Sequence, residues 1–228
     1  GSLITDCDRW SDAALVEGLV SIAPGEGVLS EEGSKTVPNT RAYWVVDPLD
    51  GTTNFAAGIP YWAISVARFV DGRPSEVFLD VPALNQRFVA LRGRGATRNN
   101  QPLTSETRSL ATSACVSLCS RSIRVLQRQP DQRFPGKIRL LGVASLNLVS
   151  VAMGQTIASL EATPKIWDLA AAWLVLDELG CPIRWLDADP AQLSPGEDVA
   201  DLGFPVLAAG SWAHLARFLP WGEALVQP

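Results

Sequence analysis

The sequence has few of the residues on which many familiar active sites depend. It contains a single histidine, His214, and four cysteines in 228 residues. A zinc site built from histidines, or a serine–histidine–aspartate triad, would have to use that one imidazole. The Gly-x-Ser-x-Gly, Walker and dinucleotide-binding motifs are also missing. Chemistry that relies on oxygen ligands and a metal ion is what remains.

Cysteine, apolar runs and positive charge are also limited, and each narrows the class of protein. Only Cys115 and Cys119 lie close together, at a helical spacing, so we expect reduced, buried thiols in a cytoplasmic protein. No apolar run approaches the roughly 20 residues that cross a bilayer, so we expect no membrane partner. The net charge of −5 disfavours a nucleic-acid partner.

The most informative stretch runs from Trp44 to Phe55, where an apolar segment ends in two acids, a glycine and two threonines. Residues 43–46 are β-branched or aromatic and predict a buried strand. We expect this strand to stop at Asp47, because Pro48 has no N–H group for the ladder of a sheet. The acids are therefore predicted at the end of a strand.

Oxygen ligands and free N–H groups follow this predicted strand together. Asp47, Asp50 and the carbonyl group of Leu49 are hard oxygen ligands of the kind that Mg²⁺ prefers. Residues 51–54 allow a sharp turn and place backbone N–H groups at the mouth of a short helix, which is an anion-binding arrangement. An Asp-Pro turn followed by a helix cap explains the same segment equally well.

Four further acids stand at the ends of predicted elements. They are Glu31 after the strand 27–30, Glu161 after the strand 156–160, Asp8 as the N-cap of the helix 9–22, and Asp168 at the start of an apolar helix that ends at Leu179. For Asp168 taken alone, helix capping is a commoner role than metal binding, although one carboxylate can serve both. The pattern nevertheless predicts that acids from distant positions meet at one edge.

The rest of the pattern predicts an α+β fold of layered sheets and helices. An antiparallel meander is expected from strands at 61–70, 75–81, 86–91 and 96–98. Later elements are a strand at 113–118, a helix that carries Arg121, Arg124 and Arg128, and a last helix near 211–219. We expect the arginines to form a solvated helix face, with an oligomer contact or a substrate-facing role as alternatives. The loop 33–41 is a candidate lid.

Five segments together resemble the motifs of the inositol monophosphatase family of Mg²⁺-dependent, lithium-sensitive phosphatases. Trp44–Phe55 resembles the first signature of the family and Trp167–Ala171 the second. The other three are Thr5–Asp8, which resembles a Thr-x-x-Asp element, Leu29–Glu32, which resembles a Gly-Glu-Glu element with Ser30 in place of glycine, and Arg139–Asn147, which resembles the start of a helix. Five matches in the family's order favour a true relationship over five unrelated turns and caps.

The resemblance implies the layered αβαβα sandwich of this family and two Mg²⁺ ions. It assigns Glu31, Asp47 and the carbonyl of Leu49 to one ion, and Asp47, Asp50 and Asp168 to the other. Members of the family normally carry a long helix and a connecting loop, with a lysine near the metals, before the Thr-x-x-Asp element. If this sequence is a fragment, we expect the active form to be longer.

The resemblance also implies the roles of individual residues. Asp8, Thr52 and Glu31 are the implied catalytic residues, with a Mg²⁺-activated water that attacks phosphorus and a proton that passes towards Thr52 and Asp8. The N–H groups of Gly51 and Thr52 would hold the phosphate. The remaining implied substrate contacts, with the hydroxyl groups of a polyol, are Gly142, Val143, Ala144 and Glu161.

We therefore expect residues 1–228 to form a single unit of inositol monophosphatase type. Residues 1–110 would be an N-terminal α+β part with the metal site, and residues 111–228 a C-terminal part that supplies Glu161 and Asp168. A chain of this length is able to bury a substantial core. Homodimers are usual in this family, so we expect a homodimer.

The expected activity is Mg²⁺-dependent hydrolysis of a small phosphorylated polyol. Inositol monophosphate is the first candidate, because residues 53–55, Thr-Asn-Phe, have the form found in inositol monophosphatases. Fructose-1,6-bisphosphatase or histidinol-phosphatase activity is the alternative within the family. An alternative of another class is a regulatory or interaction protein that has kept the fold and lost activity.

Overall fold

The computed structural model describes residues 5–104 and 114–227, and within them the chain forms six α-helices. They are α1 (Asp6–Ile22), α2 (Thr52–Ala56), α3 (Arg124–Arg128), α4 (Ala144–Ala152), α5 (Ile166–Glu178) and α6 (Trp212–Val226). Short 3₁₀ turns occur at Pro82–Leu84, Ser120–Ile123 and Pro190–Gln192. In these ranges of the chain, every helix is too short or too polar to cross a lipid bilayer.

The strands of the described residues form two sheets. The first has the order β1 (Gly27–Ser30), β2 (Ala42–Asp50), β3 (Ala63–Val70), β4 (Arg73–Val81), β5 (Gln86–Leu91), β6 (Ala96–Arg98) and β7 (Gln101–Pro102). Only β1 and β2 pair in parallel there, so β3 to β6 form the predicted meander, to which β7 adds a short antiparallel strand that was not predicted. The second sheet contains β8 (Cys115–Leu118), β9 (Lys137–Arg139), β10 (Ala158–Glu161), β11 (Ile183–Trp185) and β12 (Val206–Ala209) in the order β11-β12-β10-β8-β9.

Helices and sheets alternate in five layers. α4 and α5 lie between the sheets, with α5 against β2 to β5 and α4 against β8, β10 and β12. The outer face of the first sheet carries α1, and the outer face of the second carries α3 and α6. This is the αβαβα arrangement predicted from the resemblance. It brings the ends of β1 and β2 close to the starts of α4 and α5.

Neighbouring residues of the buried strands belong to different cores. In β12, Val206 and Ala208 join the central core with α5, whereas Leu207 and Ala209 face α6. Successive side chains of a strand point to opposite faces of the sheet, so a strand that is covered on both faces is apolar throughout. This explains why the predicted strands near the site are continuous apolar runs.

Thr5, and not Asp8 as predicted, caps α1. The hydroxyl oxygen of Thr5 accepts from the backbone N–H of Asp8 at 3.4 Å, and the backbone N–H of Thr5 donates to Oδ2 of Asp8 at 2.8 Å. The sequence prediction was wrong by one helical turn because threonine and aspartate cap helices comparably well. In this reciprocal capping box, Asp8 is the third helical residue.

β2 does not stop at Asp47 as predicted but continues to Asp50. Asp47 pairs with Ser65 and Asp50 pairs with Ala63, so Pro48 and the next residue together oppose one residue of β3. This β-bulge takes the proline out of the hydrogen-bonded ladder without ending the strand. Both acids therefore remain on a strand that is anchored in the first sheet.

α6 also extends beyond its predicted end near Leu219. Pro220 lies inside the helix, which continues to Val226. A proline removes one backbone hydrogen bond, but Trp221 and Leu225 beyond it are buried against the second sheet. Burying these large apolar side chains offsets the loss at the proline.

Two of the three arginines predicted on a solvated face also bind the end of α6. Arg124 donates from Nη2 to the carbonyl oxygen of Leu225 at 2.8 Å, and Arg128 donates from Nη1 to that of Ala224 at 2.8 Å. Cations are favourable at the C-terminus of a helix, where carbonyl groups lack partners. Arg121, Arg124 and Arg128 are all exposed, so the prediction of a solvated face is confirmed, and the contacts with α6 are additional to it.

The middle of the candidate lid is paired with a later loop. Val37 donates its N–H to the carbonyl of Glu197 at 2.8 Å, and the N–H of Val199 donates to Lys35 at 2.9 Å. A role as a lid stays a prediction. The predicted boundary between residues 110 and 111 and the predicted strand start at residue 113 lie outside the described residues, and the division into two parts also stays a prediction.

Candidate metal centre

Three carboxylates meet where β1 and β2 end and α5 begins. One carboxylate oxygen of each of Glu31, Asp47 and Asp168 lies within 4.8 Å of the other two. Asp47 is buried, with 1% of its surface exposed, and the other two residues are half-buried. Glu31 follows β1 directly, and its N–H donates to the carbonyl of Val46 at 3.2 Å. The fold thus brings together three acids that are far apart in the sequence.

Asp168 combines a capping contact with its place in this cluster. It is the third residue of α5, and its Oδ2 accepts the backbone N–H of Lys165, the N-cap residue, at 2.7 Å. An aspartate in the first turn is favourable because the helix dipole is positive there. The bond fixes the orientation of the carboxylate at the mouth of the helix.

Asp50 lies beside the cluster, but its carboxylate faces α4. Its Oδ2 accepts the backbone N–H of Ser145 at 2.8 Å, and the residue is 8% exposed. Asp50 is not one of the three acids whose oxygen atoms lie within 4.8 Å of one another. Its negative charge nevertheless raises the pKa of Asp47, Glu31 and Asp168, which places it near all three.

The electrostatics of the cluster favour a bound cation. Burial, together with the charges of Asp50 and Glu32, raises the pKa of Glu31 to about 7. Burial is also the main cause that raises the pKa of Asp47 and Asp168 well above the usual value. Acids that are buried close together must either take up protons or bind a cation.

Asp47 supplies the test of whether a metal fits. Its Oδ1 accepts the N–H of Leu49 at 3.0 Å, whereas its Oδ2 is buried and has no hydrogen-bond partner among the described residues. A buried carboxylate oxygen without a donor is costly unless a cation neutralises it. Carboxylate and carbonyl oxygens suit Mg²⁺ and Ca²⁺. The residues present therefore fit the Mg²⁺ ions that the resemblance implies.

A threonine–aspartate pair adjoins the acidic cluster. Oγ1 of Thr52 lies 2.9 Å from Oδ1 of Asp8 and 3.0 Å from the carbonyl oxygen of Leu49. Asp8 is 1% exposed, and its other oxygen is held by the capping box of Thr5. A hydroxyl bonded to a fixed carboxylate is able to hold and pass on a proton. The carbonyl of Leu49 has a second lone pair for a cation.

Gly51 permits the close approach of α2 to the start of α4. Its φ angle is +95°, and a Cβ atom at this position would lie 2.7 Å from Cγ2 of Val143. Only glycine satisfies both the left-handed backbone and the short distance. The turn before α4 also uses a left-handed glycine, Gly142, with φ of +78°.

Four of the six predicted substrate contacts line one cavity of about 230 Å³, and the other two, Gly51 and Thr52, are not among its lining residues. The predicted residues that line it are Asp50, Gly142, Val143, Ala144, Glu161 and Asp168. The other lining residues are Arg121, for which the sequence offered a substrate-facing role only as an alternative, and four that it had not assigned to the site, namely Cys119, Ser120, Thr163 and Pro164. Thr163 and Pro164 lie between Glu161 and Asp168 in the sequence. This position between two predicted site residues is the signal from which they could have been predicted.

Glu161 is held deep in this cavity by a residue that the sequence reasoning missed. It is 2% exposed, and its Oε1 accepts from Nδ2 of Asn147 at 2.9 Å. Burial raises the pKa of Glu161 to about 8, with the Asn147 hydrogen bond acting in the opposite direction. A carboxyl group with this pKa is able to donate as well as accept a hydrogen bond near neutral pH.

These features agree with the match to a known family. The model of the inositol monophosphatase family matches residues 1–217. The chain belongs to the inositol monophosphatase family. It is accordingly a phosphatase, a phosphoric monoester hydrolase.

Two relatives show how varied the names within this family are. A histidinol-phosphatase of Mycobacterium tuberculosis is 34% identical over 194 residues, which is 81% of this chain and 74% of the relative. The Nus factor SuhB of Xylella fastidiosa is 33% identical over 199 residues, 81% of this chain and 70% of the relative. Both relatives belong to the same family, but their names state different functions, so family membership alone does not select one substrate.

The fold matches that of solved members of the family. A dual-specific IMPase/NADP phosphatase bound with D-inositol-1-phosphate superposes with a TM-score of 0.80 at 25% identity, covering 98% of this chain and 84% of that structure. Other neighbouring structures are described as complexes with Mg²⁺ or Ca²⁺. These matches agree with the layered arrangement of this chain.

Proposed function

We propose that this chain hydrolyses the phosphate ester of a small polyol with the help of Mg²⁺, and that inositol monophosphate is its first candidate substrate. The observation that carries this proposal is the convergence of Glu31, Asp47 and Asp168, with the unpartnered buried oxygen of Asp47 among them. Family membership supports the reaction class.

The proposed ligands of one ion are Glu31, Asp47 and the carbonyl of Leu49, and those of the other are Asp47, Asp50 and Asp168. When bound, Mg²⁺ supplies an activated water and stabilises negative charge on the phosphate. The protein's own contribution is to hold these acids in place. The N–H of Ser145 fixes Asp50, and the N–H of Lys165 fixes Asp168.

Thr52 and Asp8 are proposed to receive the proton that the attacking water loses. Their 2.9 Å contact provides a path from the threonine hydroxyl to the aspartate. The carboxylate of Asp8 is fixed by Thr5, so it stays aimed at Thr52. The N–H groups of Gly51 and Thr52 are proposed to orient the phosphate for in-line attack, and Glu31 is proposed as a further catalytic residue.

The cavity next to these acids is proposed to hold the polyol. Glu161 offers hydrogen bonds to hydroxyl groups, and the turn at Gly142, Val143 and Ala144 forms the facing wall. The proposal of an inositol substrate is supported by the neighbouring structure that is bound with D-inositol-1-phosphate. Polar groups that meet in one cavity next to a metal centre are typical of a small-molecule site.

The deciding experiment measures release of inorganic phosphate from four substrates, with Mg²⁺ and with EDTA. The substrates are inositol 1-phosphate, fructose 1,6-bisphosphate, histidinol phosphate and adenosine 3′,5′-bisphosphate. We expect Mg²⁺-dependent release that is fastest from inositol 1-phosphate. A different preferred substrate would overturn the assignment of inositol, and no release from any substrate would overturn the proposed reaction.

The similarity to a protein named Nus factor favours one second candidate, a regulatory or interaction protein. This candidate does not explain why the chain keeps a pair such as Thr52 and Asp8 at hydrogen-bond distance beside an acidic cluster. Turnover in the four-substrate assay, lost when Asp47 is replaced, would count against a purely regulatory role.

Assembly and location belong to the same proposal. We infer a homodimer in the cytoplasm from the usual behaviour of the family. Light scattering coupled to size-exclusion chromatography measures the assembly, and a mass of one chain would overturn the dimer. Fractionation of cells that express the protein measures its location.

A further inference from the structure

One positive charge faces the substrate cavity and remains available. Arg121 lies in the 3₁₀ turn Ser120–Ile123, directly after β8, and it is the only basic residue among the described residues that line the cavity. The side chain is exposed to solvent. The other charged residues of the lining are Asp50, Glu161 and Asp168, so Arg121 is the one positive charge in a lining that otherwise carries acids.

Arg121 is held towards the cavity by a single hydrogen bond. Its Nη1 donates to Oγ1 of Thr163 at 2.7 Å, and Thr163 lies on the loop that joins Glu161 to α5. Among the described residues, no carboxylate lies within 4.0 Å of the guanidinium group, and no other protein acceptor binds it. Most of its five N–H donors are therefore available to a ligand.

The neighbouring arginines show that this availability is particular to Arg121. Arg124 and Arg128 follow it along the chain, and both donate to carbonyl groups at the end of α6. Their guanidinium groups hold the end of α6. This helix lies on the face of the second sheet that is turned away from α4. Of these arginines, only Arg121 contacts the loop at Thr163 beside Glu161.

We propose that Arg121 is a specificity-determining residue that binds a second anionic group, a phosphate or carboxylate, on the polyol part of the substrate. This inference rests on the proposed phosphatase function, since the phosphate that is hydrolysed occupies the metal centre. The guanidinium fork matches phosphate and carboxylate oxygens and forms charge-assisted hydrogen bonds with them. The contact would raise the kcat/KM of the chain for a substrate with a second anionic group, above its value without Arg121, and would leave the value for inositol monophosphate unchanged.

The experiment compares the kcat/KM values of fructose 1,6-bisphosphate, as a probe with a second anion, and of inositol 1-phosphate, as a probe without one. We expect Arg121→Gln to lower the value for the bisphosphate by about five- to tenfold, mainly through a higher KM, because the lost contact is charge-assisted but partly solvated. The value for inositol 1-phosphate should change by less than about twofold. Arg121→Lys should recover only part of the loss, since it keeps the charge but not the fork.

Arg94→Gln is the matched control, because Arg94 is exposed in the turn between β5 and β6, away from the cavity lining. It removes the same charge and should leave both kcat/KM values unchanged. An equal loss for both probes with Arg121→Gln would overturn the proposal in favour of a structural role for the contact with Thr163. Unchanged values for both probes would also overturn it.

A binding measurement separates this inference from the proposed function. Calorimetric titration of the two probes, with Ca²⁺ in place of Mg²⁺, reports affinity without turnover. Weaker binding of the bisphosphate alone to the Arg121→Gln protein would support the inference even if no phosphate were released. Turnover without any effect of Arg121 on either binding or kcat/KM would retain the phosphatase function and reject the inference.

Discussion

The side-chain amide of Asn54 donates a 2.8 Å hydrogen bond to the carbonyl oxygen of Leu141, 87 residues further along the chain. The same Nδ2 atom donates to the carbonyl oxygen of Tyr61 at 2.9 Å. One side chain thus joins α2, which follows the acidic strand, to the turn that begins α4. The two halves of the proposed substrate site are held together by this contact.

Asn54→Ala should therefore loosen the turn at Gly142 and weaken substrate binding. We expect KM for the preferred substrate to rise by about three- to tenfold, with a smaller fall in kcat, because the metal ligands are untouched. Steady-state phosphate release measures both constants. Thr53→Ala is the control, since this exposed residue lies on the same short helix and its side chain has no hydrogen bond among the described residues. A similar loss in both variants would show that α2 as a whole has been disturbed.

Asp168→Asn should abolish Mg²⁺-dependent turnover and leave the fold intact. The amide oxygen of asparagine is still able to accept the N–H of Lys165, which the carboxylate accepts at 2.7 Å. A neutral side chain cannot replace the charge next to Glu31 and Asp47, so we expect a fall in kcat/KM of about 100-fold or more. Phosphate release and circular dichroism give the two readouts. Asp177→Asn, at the exposed far end of α5, makes the same chemical change and should retain activity.

The stability of the metal-free protein should fall as pH rises through the neutral range. The pKa of Glu31 is raised from 4.5 to about 7 by burial and neighbouring charges, and that of Glu161 from 4.5 to about 8 by burial. Between the usual pKa of 4.5 and the raised values of about 7 and about 8, the folded chain binds more protons than the unfolded chain. The free energy of unfolding therefore decreases with increasing pH. We expect the melting temperature in EDTA to be higher near pH 5 than near pH 8. The difference should be about 2–4 °C for each 1 kcal/mol of unfolding free energy that is lost.

Mg²⁺ should reduce this pH dependence, because the cation replaces the protons as the neutralising charge. Scanning fluorimetry across the pH range, with EDTA and with Mg²⁺, measures the effect. Glu161→Gln should flatten the metal-free profile, since the amide does not titrate. A melting temperature in EDTA that rises from pH 5 to pH 8 would contradict the raised pKa values.

Gly51→Ala should reduce activity and stability together. The φ angle of +95° is unfavourable for alanine, and the added Cβ would lie 2.7 Å from Val143. We expect a loss of about 2 kcal/mol or more of unfolding free energy and a marked fall in phosphate release. Gly58→Ala is the matched control, because Gly58 has φ of +70° and open space around it. It should cost only about 1 kcal/mol, from the backbone alone, and keep full activity.

Val143→Ala combined with Gly51→Ala separates the two effects at this position. The smaller side chain removes the steric conflict but not the backbone strain. Val143 is buried, so Val143→Ala has a cost of its own and is the reference for the double variant. We expect Gly51→Ala to cost less stability in the Val143→Ala chain than in the unchanged chain, and an equal cost in both would show that the backbone angle alone decides the loss.

Local sequence predicted most of the elements, because apolar periodicity and turn residues act over short distances. The meander from β3 to β6 and the apolar helices α4 and α5 were predicted in this way, and their runs of buried residues leave few alternatives. Local sequence gave a wrong helix end where burial in the tertiary structure outweighed the low helix propensity of proline. Pro220 does not end α6, because Trp221 and Leu225 beyond it are buried.

The candidate site was predicted only in part. The acids of the two signatures were recognisable because their residue types and order are unusual together. Asn54 and Asn147 were not assigned to the site, and a substrate-facing role for Arg121 was only an alternative, since a polar residue on a helix or turn has many ordinary explanations. Their roles depend on partners 87, 14 and 42 residues away in the sequence, namely Leu141, Glu161 and Thr163. Spacing along a chain does not reveal such contacts.

The amino-acid sequence by itself indicated an α+β fold and the family, since these follow from short patterns and from their order, and the resemblance implied the αβαβα arrangement and the candidate acids. Only the tertiary structure decided which acids share a site. It places Glu31, Asp47 and Asp168 within 4.8 Å of one another and turns Asp50 towards the N–H of Ser145. The physical reason is that the packing of α4 and α5 between the two sheets sets these distances, and that packing depends on the whole core at once.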